Sequence, residues 1–290
     1  MVETFDADWL ALREPFDAAS RSVALAERLA EALPARPRIL DLGAGTGSLF
    51  RWLAPIIDRA QAWTFADADA DLLTHAFGMT ADWAEDHGYT ITWPDIGRRR
   101  VLLVHTPGGA WRVEARVVDL ATLPEQLPQL PFDAVVCSAL LDLVSARWLQ
   151  RFADALRTPL LACLSVDGHD AFLPRHPLDR TVLHAFRRDQ RRDKGFGHAL
   201  GPHAPQVLHA ALAARGFAVA SAASDWRIPL AAIKLLGELV HGHAGVAMRQ
   251  LPSRRTAIAA WENLRWRQAA HGRLAIRIGH RDSLALPAQE

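Results

Sequence analysis

Across 290 residues the chain has two cysteines, one tyrosine and only two lysines in a Lys+Arg total of 33. Cys137 and Cys163 both fall in short apolar runs, which suits small buried side chains better than a disulfide, and no cysteine spacing matches a zinc ligand set. No stretch is apolar for long enough to span a bilayer: the most apolar helical one, residues 228–240, is interrupted by Lys234 and Glu238. The first ten residues carry Glu3, Asp6 and Asp8 where a secretory signal would have a basic start and an apolar centre. A cytoplasmic location without a membrane partner is expected. Repeats and low-complexity tracts are also missing, apart from a general richness in Ala and Arg.

What is present is an apolar half of the composition, ample for one packed core. The near-neutral total hides an asymmetry: residues 1–150 carry a balance of −8 and residues 151–290 one of +9. Such polarity marks either an anionic partner or two halves that neutralise each other across a shared interface. Residues 17–32 set Ala18, Val23, Leu25, Ala26, Leu29 and Ala30 on one helical face, stopped by Pro34 and Pro37. Strands at 38–41 and 62–67 enclose a helix at 48–59, and an amphipathic helix runs from Asp69 to about His87. This opening calls for a parallel sheet with right-handed crossovers. Alternating runs at 101–105 and 111–118, joined by Thr-Pro-Gly-Gly, read as a hairpin, and 132–138 and 159–166 as central strands buried on both faces, with a helix at 145–157 between them. Beyond Asp167, residues 168–203 are rich in His, Arg, Gly and Pro around a basic helix at 178–194. A helix at 205–215, a strand at 217–223, helices at 229–248 and 253–270, and a last strand at Arg273–Ile278 complete the expectation.

The most informative segment is Asp41-Leu42-Gly43-Ala44-Gly45-Thr46-Gly47-Ser48, where a buried strand meets a glycine-lined turn and a helix start. Glycines at alternate positions admit a ligand to van der Waals distance of the main chain, and helix-starting amides point into the same space. This DLGAGTG run resembles the first motif of class I S-adenosylmethionine (SAM) dependent methyltransferases, (D/E)xGxGxG. A dinucleotide site would have its third glycine one place later, where this chain has Ser48. The resemblance implies an α/β fold: a Rossmann-like three-layer sandwich with a seven-stranded, mostly parallel sheet and an antiparallel last strand. It implies a single domain over residues 1–290, with 1–37 as a helical lead-in, 168–203 as a basic insertion and 229–271 as a helical one. SAM is the cofactor implied, held at Asp41, Gly43, Ala44, Gly45 and Gly47.

Further along, Asp67 lies 20 residues beyond Gly47 at the end of the second strand. A carboxylate there accepts both ribose hydroxyls, with Ala68 beside it; the alternative is that Asp67 and Asp69 merely cap the next helix. By the same resemblance Asp119 accepts from the adenine amino group, Leu120 reads a ring nitrogen through its backbone, and Ser138 touches the methionine part through its backbone. Arg13, in a lead-in segment outside any regular helix pattern, would pair with the SAM carboxylate; a surface arginine is the alternative.

Methyl transfer from a sulfonium needs mainly alignment, and a base only when the acceptor must lose a proton. Asp142 after the fourth strand is the candidate for that base; Asp167, His169 and Asp170 after the fifth, and Arg188, Arg191 and Lys194 in the insertion, are the other polar candidates. There is no (D/N/S)PP(Y/F/W) motif, and Cys137 is not preceded by proline, which argues against amino methylation of that type and against cytosine-5 RNA methylation. Asp142 and Asp167 suit a metal-dependent catechol-type site, but Gly168 stands where it would have Asn, so no metal ligand is assigned and a metal is the minor alternative. The basic run 187–194 is diluted by Asp189 and Asp193, and Trp63, Trp148 and Trp261 occupy core positions. A small-molecule acceptor, which can be anionic, is favoured over nucleic acid; an RNA methyltransferase and a non-catalytic SAM-binding partner protein are the alternatives.

Overall fold

The computed structural model describes residues 6–94, 97 and 100–288; Glu3 of the acidic start lies outside them. Along the chain, α1 (Ala7–Ser20) and α2 (Val23–Ala32) precede β1 (Arg38–Leu42), α3 (Ser48–Ile57), β2 (Gln61–Asp67) and α4 (Ala70–Asp86). Three strands, β3 (Thr90–Thr92), β4 (Val101–Thr106) and β5 (Gly109–Val117), lead to β6 (Ala134–Ser138), α5 (Ala146–Ala155) and β7 (Leu160–Val166). Then come β8 (Ala171–Leu173), α6 (Asp179–Gln190), α7 (Ala204–Ala213), β9 (Phe217–Ala223), β10 (Trp226–Ile228), α8 (Ile233–Gln250), α9 (Arg255–Ala270), β11 (Ala275–Ile278) and β12 (His280–Pro287).

The main sheet has nine strands in the order β3-β4-β5-β2-β1-β6-β7-β12-β9. Strands β5, β2, β1, β6 and β7 are parallel, and β12 runs antiparallel to both of its neighbours. This is the expected Rossmann-like α/β fold, enlarged from seven strands by β3 and β4 at one edge. Successive connections leave β1 toward β2 and then return to β6 on its other side. A crevice opens where the order reverses, outside the carboxyl ends of the strands. Helical layers cover both faces: Leu29, Phe50, Trp63 and Phe77 are buried on one side, and Trp148, Phe152 and Leu208 on the other. Trp63, Trp148 and Trp261 are each 1% exposed, as core positions require.

Two expectations are corrected. Residues 8–17 are not irregular: they lie in α1, and the helix expected over 17–32 breaks at Arg21 and Ser22, the latter capping α2 through Leu25 N. The strand expected at 273–278 is a strand, β11, but it leaves the main sheet. It pairs with β8 and β10 in a second, three-stranded antiparallel sheet, and β12 is the strand inserted between β7 and β9. What qualifies β12 for a central place despite its polar start is Asp282. Its carboxylate accepts from Leu164 N at 2.8 Å and Ser22 N at 2.7 Å, so a buried acid stitches β7 and α2 to the strand.

The two expected insertions therefore merge. The small sheet, α6, α8 and α9 form one cap beside the carboxyl edge of the main sheet. Its centre is polar: buried Asp179 accepts from Arg265 Nη2 at 2.5 Å and Trp261 Nε1 at 2.8 Å, while Arg265 Nε and His243 Nε2 are buried without a hydrogen-bond partner among the described residues. No described helix is long and apolar enough to cross a membrane.

Candidate active site

The glycine turn bends back because its residues tolerate it. Gly43, Gly45 and Gly47 have φ of +65°, +53° and +80°, a region costly for any residue with a Cβ. Gly43 N and Ala44 N donate to Ala66 O at 2.8 and 3.3 Å, so the turn is tied to the end of β2. Gly47 serves the turn from outside the cavity wall. It starts α3, and a Cβ on it would sit 3.1 Å from the Phe65 ring.

A cavity of about 510 Å³ opens above this turn. Its wall gathers Arg13, Asp41, Gly43, Ala44, Gly45, Asp67, Ala68, Asp119, Leu120 and Ser138, ten of the eleven cofactor residues expected from sequence. Volume and lining suit a nucleoside-sized ligand.

Asp67 does more than cap. Its Oδ2 accepts from Gly45 N at 2.9 Å and its Oδ1 from Asp69 N at 3.0 Å, while Asp69 itself caps α4 through Asp71 N and Leu72 N. An ionised carboxylate has about four acceptor sites, so capacity remains for a hydroxyl donor. Burial pushes the Asp67 carboxyl up, against the three backbone N–H groups that lower it. Asp119 turns the chain after β5 by accepting from Ala121 N at 2.9 Å, and Leu120 O accepts from Trp148 Nε1 at 2.7 Å, which fixes the wall between β5 and α5.

Asp41 is the most unusual group in the wall. It is 1% exposed, and neither carboxylate oxygen has a hydrogen-bond partner. Burial raises its pKa to about 8, an effect that Arg21 opposes and Asp67 reinforces. A buried carboxylate without donors is costly, and a ligand that brings donors or positive charge removes that cost.

Helix α1 closes the other side. Arg51 of α3 donates through Nε and Nη2 to the two carboxylate oxygens of Glu14 at 2.7 and 2.5 Å, and through Nη1 to Thr46 O at 2.6 Å. One buried guanidinium thus clamps α1 onto the glycine turn, with Leu10 in the wall above Gly45. Arg13 lines the cavity, but its Nε and Nη2 fork onto Asp17 at 3.0 and 3.2 Å, and it lies 4.9 Å over the Trp226 ring. A second guanidinium, Arg21, missed in sequence and outside the cavity wall, ties the start of α3 to the end of β6. Its Nη2 donates to Ser138 Oγ at 3.1 Å and Ser48 Oγ at 3.2 Å. No local signal distinguishes Arg21 from other helix arginines; a partner 117 positions away does.

Asp142 is not brought into the cavity wall. It is buried under the segment before α7, where its carbonyl accepts from Gly201 N at 2.9 Å, and Leu143 takes the place in the wall. Asp167, His169 and Asp170 are likewise outside the wall; of the insertion candidates, Lys194 is in it, together with Gly195 and Phe196. Cys137 and Cys163 are free and buried, and burial raises both thiols. Among the described residues no group of three or more His, Cys, Asp or Glu side chains is arranged to hold a metal ion.

The strand order, the glycine turn and the acids at the ends of β1, β2 and β5 define a Rossmann-like α/β protein with a nucleoside-sized cavity at its switch point. No protein-family model matches the chain. The biotin biosynthesis bifunctional protein BioCD of Bordetella avium (strain 197N) is 54% identical over 54 residues, 18% of this chain and 11% of that protein. The match thus spans about a tenth of the relative's length. Similar solved structures include a cyclopropane-fatty-acyl-phospholipid synthase-like protein from Lactobacillus casei ATCC 334, at 15% identity over 94% of this chain and 99% of that one, with a TM-score of 0.48. The cyclopropane synthase MmaA2 of Mycobacterium tuberculosis is 14% identical over 91% and 83%, with a TM-score of 0.42. Phosphoethanolamine N-methyltransferase 2 of Haemonchus contortus, solved with S-adenosylhomocysteine, is 13% identical over 98% and 59%, also at 0.42.

Proposed function

We propose that this chain is a SAM-dependent methyltransferase acting on a small-molecule acceptor. The observation that carries the reading is Asp41, a buried carboxyl whose oxygens have no hydrogen-bond partner among the described residues, in the wall of a cavity that Asp67 also lines. When bound, SAM supplies a methyl group already activated by its sulfonium charge. The chain's own residues have three tasks. Asp67 accepts the ribose hydroxyls, and Asp119 with the Leu120 backbone receives the adenine edge. Asp41 accepts from the cationic amino group, while Ser138, fixed by Arg21 from outside the wall, lines the methionine end. Helix α1, clamped through Glu14 and Arg51, keeps water from the reacting centre, and the remaining catalytic contribution is alignment.

Calorimetric titration with S-adenosylhomocysteine tests the cofactor. Wild type is expected to bind with one site, and Asp67→Ala to weaken binding about 10- to 100-fold, the value of hydrogen bonds to a charged group. No binding, or equal binding by the variant, defeats the reading. Release of S-adenosylhomocysteine with a small-molecule extract, and not with tRNA or rRNA, separates the small-molecule enzyme from an RNA methyltransferase. Tight binding with no turnover of either marks a non-catalytic SAM-binding protein.

A further inference from the structure

The two edges of the main sheet are finished differently. At one, β3 is three residues long, and Trp93-Pro94 follow it at once. Short length and proline both keep an edge from pairing with another chain. At the other, β9 runs for seven residues, Phe-Ala-Val-Ala-Ser-Ala-Ala, without charge, proline or glycine. Its register against β12 is unbroken from Phe217 to Ala223, so no bulge there twists the edge away.

One hydrogen bond shows which backbone groups of β9 are used. Ser224 N donates to His280 O at 3.0 Å, and the ladder pairs Ala223 with Arg281. Antiparallel ladders alternate, so Ala218, Ala220 and Ala222 turn their N–H and C=O groups to β12, while Phe217, Val219, Ser221 and Ala223 turn theirs outward. No backbone hydrogen bond among the described residues occupies that outward row.

The row is complementary to itself. A two-fold axis through Ala220, normal to the sheet, sets a second β9 antiparallel to the first, with Phe217 opposite Ala223 and Val219 opposite Ser221. Every outward N–H then meets an outward C=O. A slip of two residues in either direction leaves Phe217 or Ala223 of each copy unpaired, so this register makes the most hydrogen bonds. The flanking charges fit the same axis. Arg215, just before the strand, comes level with Asp225 of the second copy, just after it, and a hollow of about 310 Å³ walled by Ser20, Ala223, Asp225 and Arg227 lies open at that end. Within the chain Arg215 is paired with Asp154 and Asp225 with Arg277, so these ends set orientation more than energy.

We infer that β9 is a homodimer surface, through which two copies of this chain join edge to edge into one continuous sheet across a two-fold axis at Ala220. An occupant with the same strand satisfies the whole row and places opposite charges at both ends, and such a contact closes on itself.

The test uses the full chain. Sedimentation equilibrium between about 1 and 100 μM should show a monomer–dimer equilibrium. Ser221→Pro removes an outward N–H and leaves the bonds to β12 in place; it should keep the wild-type circular dichroism and raise the dimer dissociation constant about 10- to 100-fold. The register is read by a charge pair: Ala220→Lys and Ala220→Glu should each be monomeric, because like charges meet on the axis, and their equimolar mixture should dimerise. If Ser221→Pro does not fold, the Ala220 pair decides. A monomer at every concentration overturns the inference and leaves the edge to a strand of another protein. A dimer that the folded variants leave intact, or a mixture of folded Ala220 variants that stays monomeric, overturns it as well. Binding of S-adenosylhomocysteine enters none of these arms, so the cofactor reading is tested separately.

Discussion

If Asp41 receives the cationic amino group of the cofactor, binding must expel a proton. Burial raises the Asp41 carboxyl to about 8, so at pH 7 about nine-tenths of the empty protein holds it neutral, and ionising it costs about 1.4 kcal/mol. The groups that set this value are Arg21, which favours the charge, and Asp67, which opposes it. In the complex the carboxylate is ionised against an ammonium. Binding at pH 7 should therefore release about 0.9 proton from this group, and affinity should rise roughly tenfold per pH unit below 8. Above that the gain ends, because Asp41 is then already ionised in the empty protein and no proton need leave. The assay is calorimetry with S-adenosylhomocysteine at pH 7 in buffers of different ionisation heat, where the dependence of the observed heat on the buffer counts protons. Asp41→Asn keeps the shape and removes the ionisation. Its proton release should vanish, and its affinity at pH 8 should fall about 10- to 100-fold, corresponding to about 1.5–3 kcal/mol for a charge-assisted hydrogen bond. The empty protein supplies a control of opposite sign. A raised carboxyl pKa means that the unfolded chain binds fewer protons between about pH 4 and 8, so wild-type stability falls as pH rises through that window, and the Asn variant lacks this fall. Proton-free binding at pH 7 with a flat affinity between pH 6 and 8 would refute the assignment.

The remaining predictions concern the frame around the site. At Gly109 φ is +130°, and a Cβ there would stand 2.9 Å from Ala60 N and Cβ, both on a neighbouring chain segment that has no rotamer to yield. Gly109→Ala should cost about 2–3 kcal/mol in denaturant unfolding; a loss under about 1 kcal/mol would show that the β4–β5 turn relaxes freely. Buried His243 stacks on Phe186 at 4.0 Å, and burial lowers its pKa to about 4, so the unfolded chain takes up a proton near pH 6.5 that the folded chain refuses until about pH 4. The stability this residue contributes is complete above pH 6.5 and lost on acidification, about 2 kcal/mol by pH 5. His243→Phe should lose correspondingly less stability than wild type between pH 7 and pH 5, and equal losses would mean that the ring is reached by water.

Much of the site is legible in the chain because it is local. A buried strand, three glycines that require positive φ, and an acid at the next strand end are short-range demands, and of the residues they point to the wall holds Asp41, Gly43, Ala44, Gly45, Asp67 and Ala68. Reading fails where long-range partners decide. Residues 8–17 carry Pro15 and a mixture of charge signs that hides a helix, and α1 is held by Glu14 on Arg51 and by Asp17 with Trp226, contacts 37 and 209 positions apart. Arg13 is an arginine at the cavity, as expected, but Asp17, one helical turn away, takes its fork. Asp142 follows two apolar residues at a strand end, and the segment before α7 then covers it.

Taken by itself, the amino-acid sequence determined the periodicities, the strand-turn-helix at 38–59 and the acids that follow it, because backbone conformation at glycine and burial of alternating apolar residues act over a few positions. Only the tertiary structure decided that the last sheet strand is β12, that Arg21 and not Arg13 reaches Ser138, and that Lys194 enters the wall beside a carboxylate it shares. Those outcomes depend on which distant groups satisfy one another's charge and hydrogen bonds once water is excluded, and that pairing does not exist until the chain has folded.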